Sequence, residues 1–411
     1  MLNRRQFLQS TAAVTIPGAQ PKRIAILTTV YRYLSHAQHM GDRFLVGYPH
    51  EGEWHKPDMK VVSLYVDQKP EGDQSAERAR EFGFQVYPTI ADALRCGGNR
   101  LAVDAVLLIG EHGQYPRNDK GQVLYPRFEF FQQCVRVFEA EGRAVPVFND
   151  KHLSYSFEKA KAMVEASRRL RFPMLAGSSL PVTWRLPAID LPMGCRIEEA
   201  LMVGVGGSDP MDFHALEALQ CMVERRRRGE TGVRAAQLVE GDEVWKAGES
   251  GRYSRELLRS ALSRTDTPLG LTERDGRTQD LVGSGELPRI VKNPAAYFIE
   301  YRDGLRATLL MLNGAVKDFL FAARVQGMSE LPSTQFLLTP EPNVTYSACL
   351  MNKVEEMFRT GRAPYPVERT LLVSGVLESC LTSRQQGHVR LETPHLSVAY
   401  RPPRESQFPR S

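Results

Sequence analysis

The sequence predicts an α/β protein in which a doubly wound parallel sheet is followed by an α+β domain with an open, mostly antiparallel sheet. Three observations predict this class. A chain of 411 residues is longer than one ordinary core requires, which favours two domains. Up to about residue 180, short apolar runs alternate with helical patterns, as in parallel sheets covered by helices. Beyond about residue 185, apolar runs arrive with turn signals between them, which indicates antiparallel pairing.

The first half of the chain predicts alternating strands and helices. Apolar runs predict strands at 23–30, 60–67, 103–109, 144–148 and 173–177. Amphipathic and capped stretches predict helices at 33–40, 75–82, 89–95, 126–141 and 155–170. In the second half we expect strands at 200–205, 295–301, 305–312 and 396–400, and helices at 344–359 and 367–383. The expected domains are 21–150 and 151–411, preceded by a segment at 1–20.

The segment 1–20 resembles a twin-arginine export signal, because Asn3-Arg4-Arg5-Gln6-Phe7-Leu8 precedes small and apolar residues. This pattern predicts an exported, periplasmic protein. The alternative is a disordered tail that happens to contain two arginines, in which case the protein is cytoplasmic. We expect no membrane span in the mature protein, since no other segment approaches 18 consecutive apolar residues.

The composition and charge do not predict nucleic-acid binding. Hydrophobic residues make up 42% and charged residues 25%, and the net charge of +5 is small for this length. The run Arg225–Arg228 follows an amphipathic stretch and precedes Gly229, so a solvated helix end is favoured over a nucleic-acid patch. The six cysteines are scattered, without zinc spacing or a disulfide framework. An exposed face of the second sheet is a candidate interface for a homo-oligomer.

Polar residues follow four of the predicted parallel strands, where ligands bind in open α/β sheets. They are Thr28, Thr29, Tyr31, Arg32 and His36 after the first strand, Asp67 after the second, Glu111, His112 and Tyr115 after the third, and Asp150, Lys151 and His152 after the fourth. Each residue alone has a simpler explanation, such as a turn, a solvated side chain or a surface ion pair. Their concentration at four successive strand ends predicts a ligand site.

The second domain contributes His214, at the start of a helix that follows a glycine-rich loop. The nearby acids Asp209 and Asp212 have sufficient structural explanations as helix N-cap and first-turn carboxylate. At about 100° per residue, His214 points away from the apolar stripe that contains Phe213 and Leu216. It therefore faces either water or the cleft between the domains, where a neutral imidazole could take a proton.

In this order, the pieces resemble the glucose-fructose oxidoreductase and inositol dehydrogenase family (Gfo/Idh/MocA) from Arg23 to about Tyr400. The resemblance implies a Rossmann-type domain that binds NAD or NADP and a second domain with a sugar or polyol site. It also implies that Asp67 holds the adenosine ribose, that Lys151 lies near the reacting hydroxyl, and that His214 is the catalytic histidine. Asp150-Lys151-His152 falls where the family has Glu-Lys-Pro.

The first turn departs from this family. The fingerprint G-x-G-x-x-G-x-x-H overlays 28–36, where Thr28, Val30 and Tyr33 take the glycine positions and only His36 matches. We expect a cradle rebuilt from hydroxyls and one guanidinium. The expected cofactor-binding residues are thus Thr28, Thr29, Tyr31, Arg32, His36, Asp67, Glu111, His112 and Tyr115. The expected catalytic residues are Lys151, His214, Asp150 and His152.

Three functions remain open from the sequence. The first is NAD(P)-dependent oxidation of a sugar or polyol, in which His214 accepts the hydroxyl proton and Lys151 polarises the oxygen. The second is a lyase, epimerase or hydrolase that uses the same cleft without free dinucleotide, with a divalent metal as a weaker variant. The third is a carbohydrate-binding relative without catalysis.

Overall fold

The computed structural model describes residues 20–207, 209–270, 274–277 and 279–410. The twin-arginine pattern lies outside the described residues, apart from the last residue of its segment. Within the described ranges, no helix combines the length and apolar character needed to cross a bilayer.

The first part of the chain forms the elements that the alternating pattern predicts. Its strands are β1 (Lys22–Thr28), β2 (Tyr48–His50), β3 (Glu53–His55), β4 (Met59–Val66), β5 (Gln85–Tyr87), β6 (Ala105–Ile109), β7 (Val147–Asp150) and β8 (Met174–Gly177). Its helices are α1 (His36–Leu45), α2 (Ser75–Phe82), α3 (Ile90–Arg95), α4 (Arg127–Glu141) and α5 (Phe157–Leu170).

Six of these strands form one parallel sheet in the order β5-β4-β1-β6-β7-β8, which confirms the predicted doubly wound sheet. Every residue of β6 is buried, as expected for a strand covered by helices on both faces. The sheet continues through β8 to Gly177, past residue 150, where the sequence led us to expect the domain boundary. The strands β2 and β3 form a separate hairpin.

The second part adds another sheet and its helices. The strands are β9 (Arg185–Leu186), β10 (Ile197–Gly204), β11 (Val233–Glu240), β12 (Ala295–Tyr301), β13 (Arg306–Met311), β14 (Phe319–Val325), β15 (Ser333–Phe336) and β16 (Leu391–Glu392). The helices are α6 (Asp209–Val223), α7 (Asp242–Glu249), α8 (Arg255–Leu262), α9 (Leu287–Ile290), α10 (Tyr346–Thr360) and α11 (Glu368–Gln385).

This eight-stranded sheet has the order β16-β11-β12-β13-β10-β14-β15-β9. Only the β10–β13 pairing is parallel among its described strand pairs, so the prediction of a mostly antiparallel sheet is confirmed. The predicted strand at 396–400 is wrong. Residues Pro394–Leu396 form a 3-10 turn, and only Tyr400 makes a bridge, to Glu230. Pro394 cannot donate a ladder hydrogen bond, and Leu396 packs against Gly375 of α11 instead.

The two last helices join the parts of the chain into one packed body. Buried side chains of α10, including Leu350 and Met351, share a core with Ile24 and Leu64 of the first sheet. A second core runs continuously from the first sheet through Phe213 of α6 to the strands of the second sheet. As a result, the first turn of α6 lies against the carboxyl ends of β7 and β8.

Candidate functional site

The candidate site lies where the carboxyl ends of β6, β7 and β8 meet the start of α6. Asp209, the first residue of α6, accepts hydrogen bonds from Gln122 Nε2 at 3.0 Å and pairs with His152 Nε2 at 3.0 Å. These buried contacts fix the helix against the first sheet. The residues after three neighbouring strands are thereby brought together with His214, as the strand-end argument predicts.

A buried charge cluster forms the base of the site. The Glu111 carboxylate accepts a hydrogen bond from Arg127 and lies 3.8 Å from Lys151 Nζ. All three residues are less than 5% exposed. Burial raises the pKa of Glu111, but the charges of Lys151 and Arg127 outweigh burial and lower it overall. Arg127 was missed in the sequence, because it opens α4 and does not follow a strand.

Lys151 is held in an unusual backbone conformation. Its φ is 60°, in the left-handed region that side chains other than glycine rarely adopt. Its N–H donates to the Gly177 carbonyl at 3.2 Å, which joins the loop after β7 to the end of β8. The left-handed turn and this bond set the direction in which the buried ammonium leaves the chain. Such backbone strain is common where a side chain has a functional position.

His36 forms a close pair with Asp150 across the sheet. Its Nδ1 lies 2.7 Å from Asp150 Oδ2, and its backbone N–H donates to His112 Nδ1 at 3.4 Å. Burial lowers the pKa of His36 well below its usual value, and the charge of Lys151 lowers it further. Burial raises the pKa of Asp150, against the opposing charges of Lys151 and Arg127. Sequence reasoning had assigned His36 and His112 to the cofactor.

His214 is half-buried and contacts Ser178, the residue directly after β8. Ser178 Oγ lies 2.5 Å from His214 Nδ1 and accepts a hydrogen bond from the Leu180 N–H at 3.0 Å. The pKa of His214 lies well below its usual value, mainly because the ring is buried. The charges of Lys151, His36 and His152 lower this pKa further. Ser178 was missed, although a strand ending at residue 177 was predicted and the same strand-end argument applies to it.

His152 is placed differently from its expected catalytic role. The side chain is 1% exposed and lies between the Asp209 carboxylate and Arg127 Nη1, which is 3.4 Å from Nδ1. It therefore joins α6 to the first sheet.

The turn after β1 does not present the hydroxyls expected there. Thr28 Oγ1 donates to the carbonyls of Val30 and Ile109, and Thr29 Oγ1 donates to the Glu111 carbonyl at 2.6 Å. Both threonines are fully buried. Since these hydroxyls already satisfy backbone oxygens, they do not form the cradle that the sequence suggested.

Tyr31 and Arg32 also differ from that expectation. Tyr31 is fully buried, and its hydroxyl donates to Asp42 Oδ1 at 2.7 Å. Arg32 is exposed, and its backbone pairs with Asp73 in an isolated bridge. The tyrosine thus belongs to the core, and the guanidinium points to solvent.

The carboxylate at the end of β4 lies between two tyrosines. Asp67 accepts hydrogen bonds from Tyr65 at 2.8 Å and from Tyr115 at 2.6 Å. Asp67 itself is exposed, and each of its carboxylate oxygens already accepts one phenol, so a ribose diol would share these oxygens with Tyr65 and Tyr115.

The N–H groups at the start of α1 are bonded within the protein. Ser35 Oγ accepts from the backbone of Arg32 and Gln38, the Gln38 side chain accepts from Leu34 N, and His112 accepts from His36 N. In dinucleotide-binding folds these groups face the pyrophosphate. Four of the N–H groups at this place are therefore already bonded within the protein.

Glu217 is linked to His214 through Ser178, which contacts both residues, and its pKa is raised. It accepts hydrogen bonds from Ser178 N at 3.3 Å and from Thr370 Oγ1 at 2.8 Å, and it is fully buried. Burial raises the pKa of Glu217 to about 7. Within the described residues, no group of three or more His, Cys, Asp or Glu side chains has the geometry to hold a metal ion.

Glu217→Gln is expected to flatten the pH dependence of stability. The folded protein keeps a proton on Glu217 that the unfolded chain releases above a pKa of about 4.3, so wild-type stability falls as pH rises from 5 to 8. The loss amounts to at most about 3 kcal/mol. Urea unfolding at both pH values measures it, with the partly exposed Glu129→Gln as control. An unchanged pH slope in Glu217→Gln would contradict the prediction.

Comparison with solved structures finds the same two-domain fold in other proteins. GenD2 from gentamicin A biosynthesis, solved with NAD, is similar with a TM-score of 0.56 at 12% identity, over 91% of this chain and 97% of GenD2. Myo-inositol 2-dehydrogenase from Lactobacillus plantarum has a TM-score of 0.52 at 12% identity, over 90% of this chain and 99% of the enzyme.

Myo-inositol dehydrogenase from Lactobacillus casei, solved with NAD(H) and myo-inositol, has a TM-score of 0.51 at 10% identity, over 90% of this chain and 96% of the enzyme. No protein-family model matches the sequence, and no curated protein matches it. At these identities the likeness establishes the two-domain fold and leaves the activity to be argued from the site.

Proposed function

We propose that this chain is an enzyme that acts at a hydroxyl-bearing carbon of a sugar or polyol, with Lys151 and His214 in contact with the reacting oxygen. The observation that carries the proposal is the convergence of these two side chains, one from each part of the chain, at the carboxyl ends of β7 and β8. The Lys151 N–H bonds to the Gly177 carbonyl, and the next residue, Ser178, contacts His214 Nδ1. The charge of Lys151 also lowers the pKa of His214, after the larger effect of burial. A cationic ammonium and a neutral imidazole suit an oxygen that gains or loses a proton.

The first candidate reaction is hydride transfer between NAD(P) and the hydroxyl carbon. It is supported by the fold, which the chain shares with an NAD-bound structure and with a myo-inositol dehydrogenase bound to NAD(H) and its polyol. In this reaction a nicotinamide would take the hydride. Lys151 would donate a hydrogen bond to the substrate oxygen, and the buried Glu111 and Arg127 would hold Lys151 in position.

The residues present do not fit a dinucleotide in the usual pose of this fold. The N–H groups of Arg32, Leu34, His36 and Gln38 already bond to side chains of this turn and to His112, and each oxygen of Asp67 already accepts a phenol. This observation favours a second candidate, a lyase, epimerase or hydrolase reaction on the same class of substrate. Proton transfer alone is sufficient for that chemistry, and the same Lys151 and His214 serve it.

A nucleotide-binding experiment separates the two candidates. Thermal unfolding is measured with NAD⁺ and with NADP⁺, because a ligand at 100 times its Kd adds about 2.7 kcal/mol to the stability of the folded state. Hydride transfer predicts stabilisation by one nucleotide and its loss in Asp67→Ala. The matched control is Asp104→Ala, since Asp104 accepts hydrogen bonds from Arg23 N and Arg143 beside the amino ends of β1 and β6, whereas the site lies at the carboxyl ends.

Absence of stabilisation by either nucleotide would reject the first candidate and leave the second. Activity is then sought on a panel of sugars, polyols and their acids. If no substrate of this panel is turned over, or if turnover persists in both Lys151→Ala and His214→Ala, the proposed function is wrong. A carbohydrate that binds without turnover would identify the non-catalytic relative.

A further inference from the structure

Two histidines of the site share one arrangement, in which the protein holds Nδ1 and leaves Nε2 unbonded. His36 Nδ1 lies against Asp150, and His214 Nδ1 lies against Ser178. Among the described residues, neither Nε2 has a hydrogen-bond partner, and neither is a buried unpaired atom. An imidazole oriented through one nitrogen and open at the other is suited to chemistry on a substrate.

The partner of Nδ1 decides the tautomer of His36. The Asp150 carboxylate can only accept, so Nδ1 carries the proton and donates it to Oδ2. Burial raises the pKa of Asp150, and the positive charges of Lys151 and Arg127 oppose this rise and favour the ionised form of the carboxylate. In the neutral ring, Nε2 of His36 is therefore unprotonated, and its lone pair can accept a proton.

The partner of His214 imposes the opposite tautomer. Ser178 Oγ already accepts the N–H of Leu180 at 3.0 Å, and within the described part of the chain its own proton has no acceptor other than His214 Nδ1. When Ser178 donates to Nδ1, the proton of the neutral imidazole is on Nε2. His214 is therefore set as a hydrogen-bond donor.

We infer that His36 is the proton acceptor of the site and that His214 acts as a neutral donor to the substrate oxygen. The inference rests on the proposed function and reverses the proton-accepting role that the sequence suggested for His214. The two rings belong to one cleft, because Asp150, which holds His36, pairs across β7 and β8 with Gly177, and the next residue, Ser178, contacts His214. His112 lies beside His36, and its Nδ1 accepts the backbone N–H of His36. The proton of a neutral His112 ring is therefore on Nε2, so His112 is not the proton acceptor.

The step balances without an added reactant. His36 Nε2 takes a proton from a substrate O–H, or from a C–H next to a carbonyl group. The electron pair of the broken bond stays on the substrate, where its charge develops on the oxygen that Lys151 and His214 contact. The new His36 imidazolium is stabilised by the Asp150 carboxylate. The same step opens either candidate reaction.

The tautomers can be measured without any substrate. Long-range ¹H–¹⁵N spectra of protein labelled at histidine distinguish protonated from unprotonated ring nitrogens, and His36→Asn and His214→Asn assign the signals. We expect Nδ1–H for His36 and Nε2–H for His214 at pH 7, and loss of the His214 preference in Ser178→Ala. The opposite tautomer at either ring would overturn the inference, whatever the enzyme's activity.

Activity provides the second arm. His36→Asn keeps an amide donor for Asp150 but has no basic nitrogen in place of Nε2. We therefore expect kcat to fall by about 10²–10⁴ with little change in KM. The matched control is His39→Asn, on the same helix with its ring 4.9 Å from that of His36. Full activity of a folded His36→Asn variant, when His214→Ala is impaired, would reject His36 as the acceptor and leave the proposed function standing.

Discussion

Replacing Glu111 with glutamine is expected to lower the free energy of unfolding by about 3–5 kcal/mol. Glutamine keeps the shape of the side chain and removes its charge. The two cations that face it, Arg127 and Lys151, are 0% and 4% exposed and would remain in the protein interior without this carboxylate. Breaking one partner of a buried ion pair is costly because the remaining charge has lost its solvation and its counter-charge.

The effect can be separated from a general sensitivity to carboxylate removal. Glu129→Gln removes a carboxylate that pairs with Lys159 at 2.6 Å but is 44% exposed, so its cost should stay below about 1 kcal/mol. Both variants are compared with wild type by urea unfolding at pH 7. A cost below about 1 kcal/mol for Glu111→Gln would show that Asp150 or solvent compensates the two cations, and the cluster would then not be a fixed base for the site.

The fold could be predicted because the signals that determine it are local. Buried parallel strands require continuous apolar runs, and β6 has such a run in a segment short enough to exclude a helix. The helix at 75–82 was predicted with the bounds that the structure has, since Gly83 ends it in a left-handed conformation. The strand expected at 396–400 failed because a run of apolar residues does not reveal that Leu396 packs against a glycine of a helix.

The strand-end argument predicted where the site lies but not which contacts are made there. It brought Glu111, Asp150 and Lys151 to one edge of the sheet, because parallel strands place their carboxyl ends together. The pair of His36 with Asp150 joins residues 114 positions apart, and no spacing in the chain announces it. Likewise, the sequence shows Thr28 and Thr29, but it does not show that their hydroxyls donate to backbone carbonyls.

Replacing His214 with alanine is expected to lower kcat by about 10²–10³. The imidazole has lost solvent to burial, and its Nε2 has no protein partner among the described residues, so its hydrogen bond to a developing oxyanion has no substitute in the variant. Ser178→Ala, which removes only the group that orients the ring, should cost less, about 10- to 100-fold. The measurement is steady-state turnover of the substrate found in the panel, with folding checked by thermal unfolding.

His395→Ala serves as the control for this series, because His395 also lies 3.4 Å from a serine, Ser379, but is exposed and lines a pocket that contains none of the site residues. It should keep wild-type turnover. The order of the two effects matters more than either value. If His214 is the donor and Ser178 only orients it, kcat should fall more in His214→Ala than in Ser178→Ala. Equal, small losses in both variants would mean that Lys151 alone stabilises the oxygen, and His214 would then have no part in the chemistry.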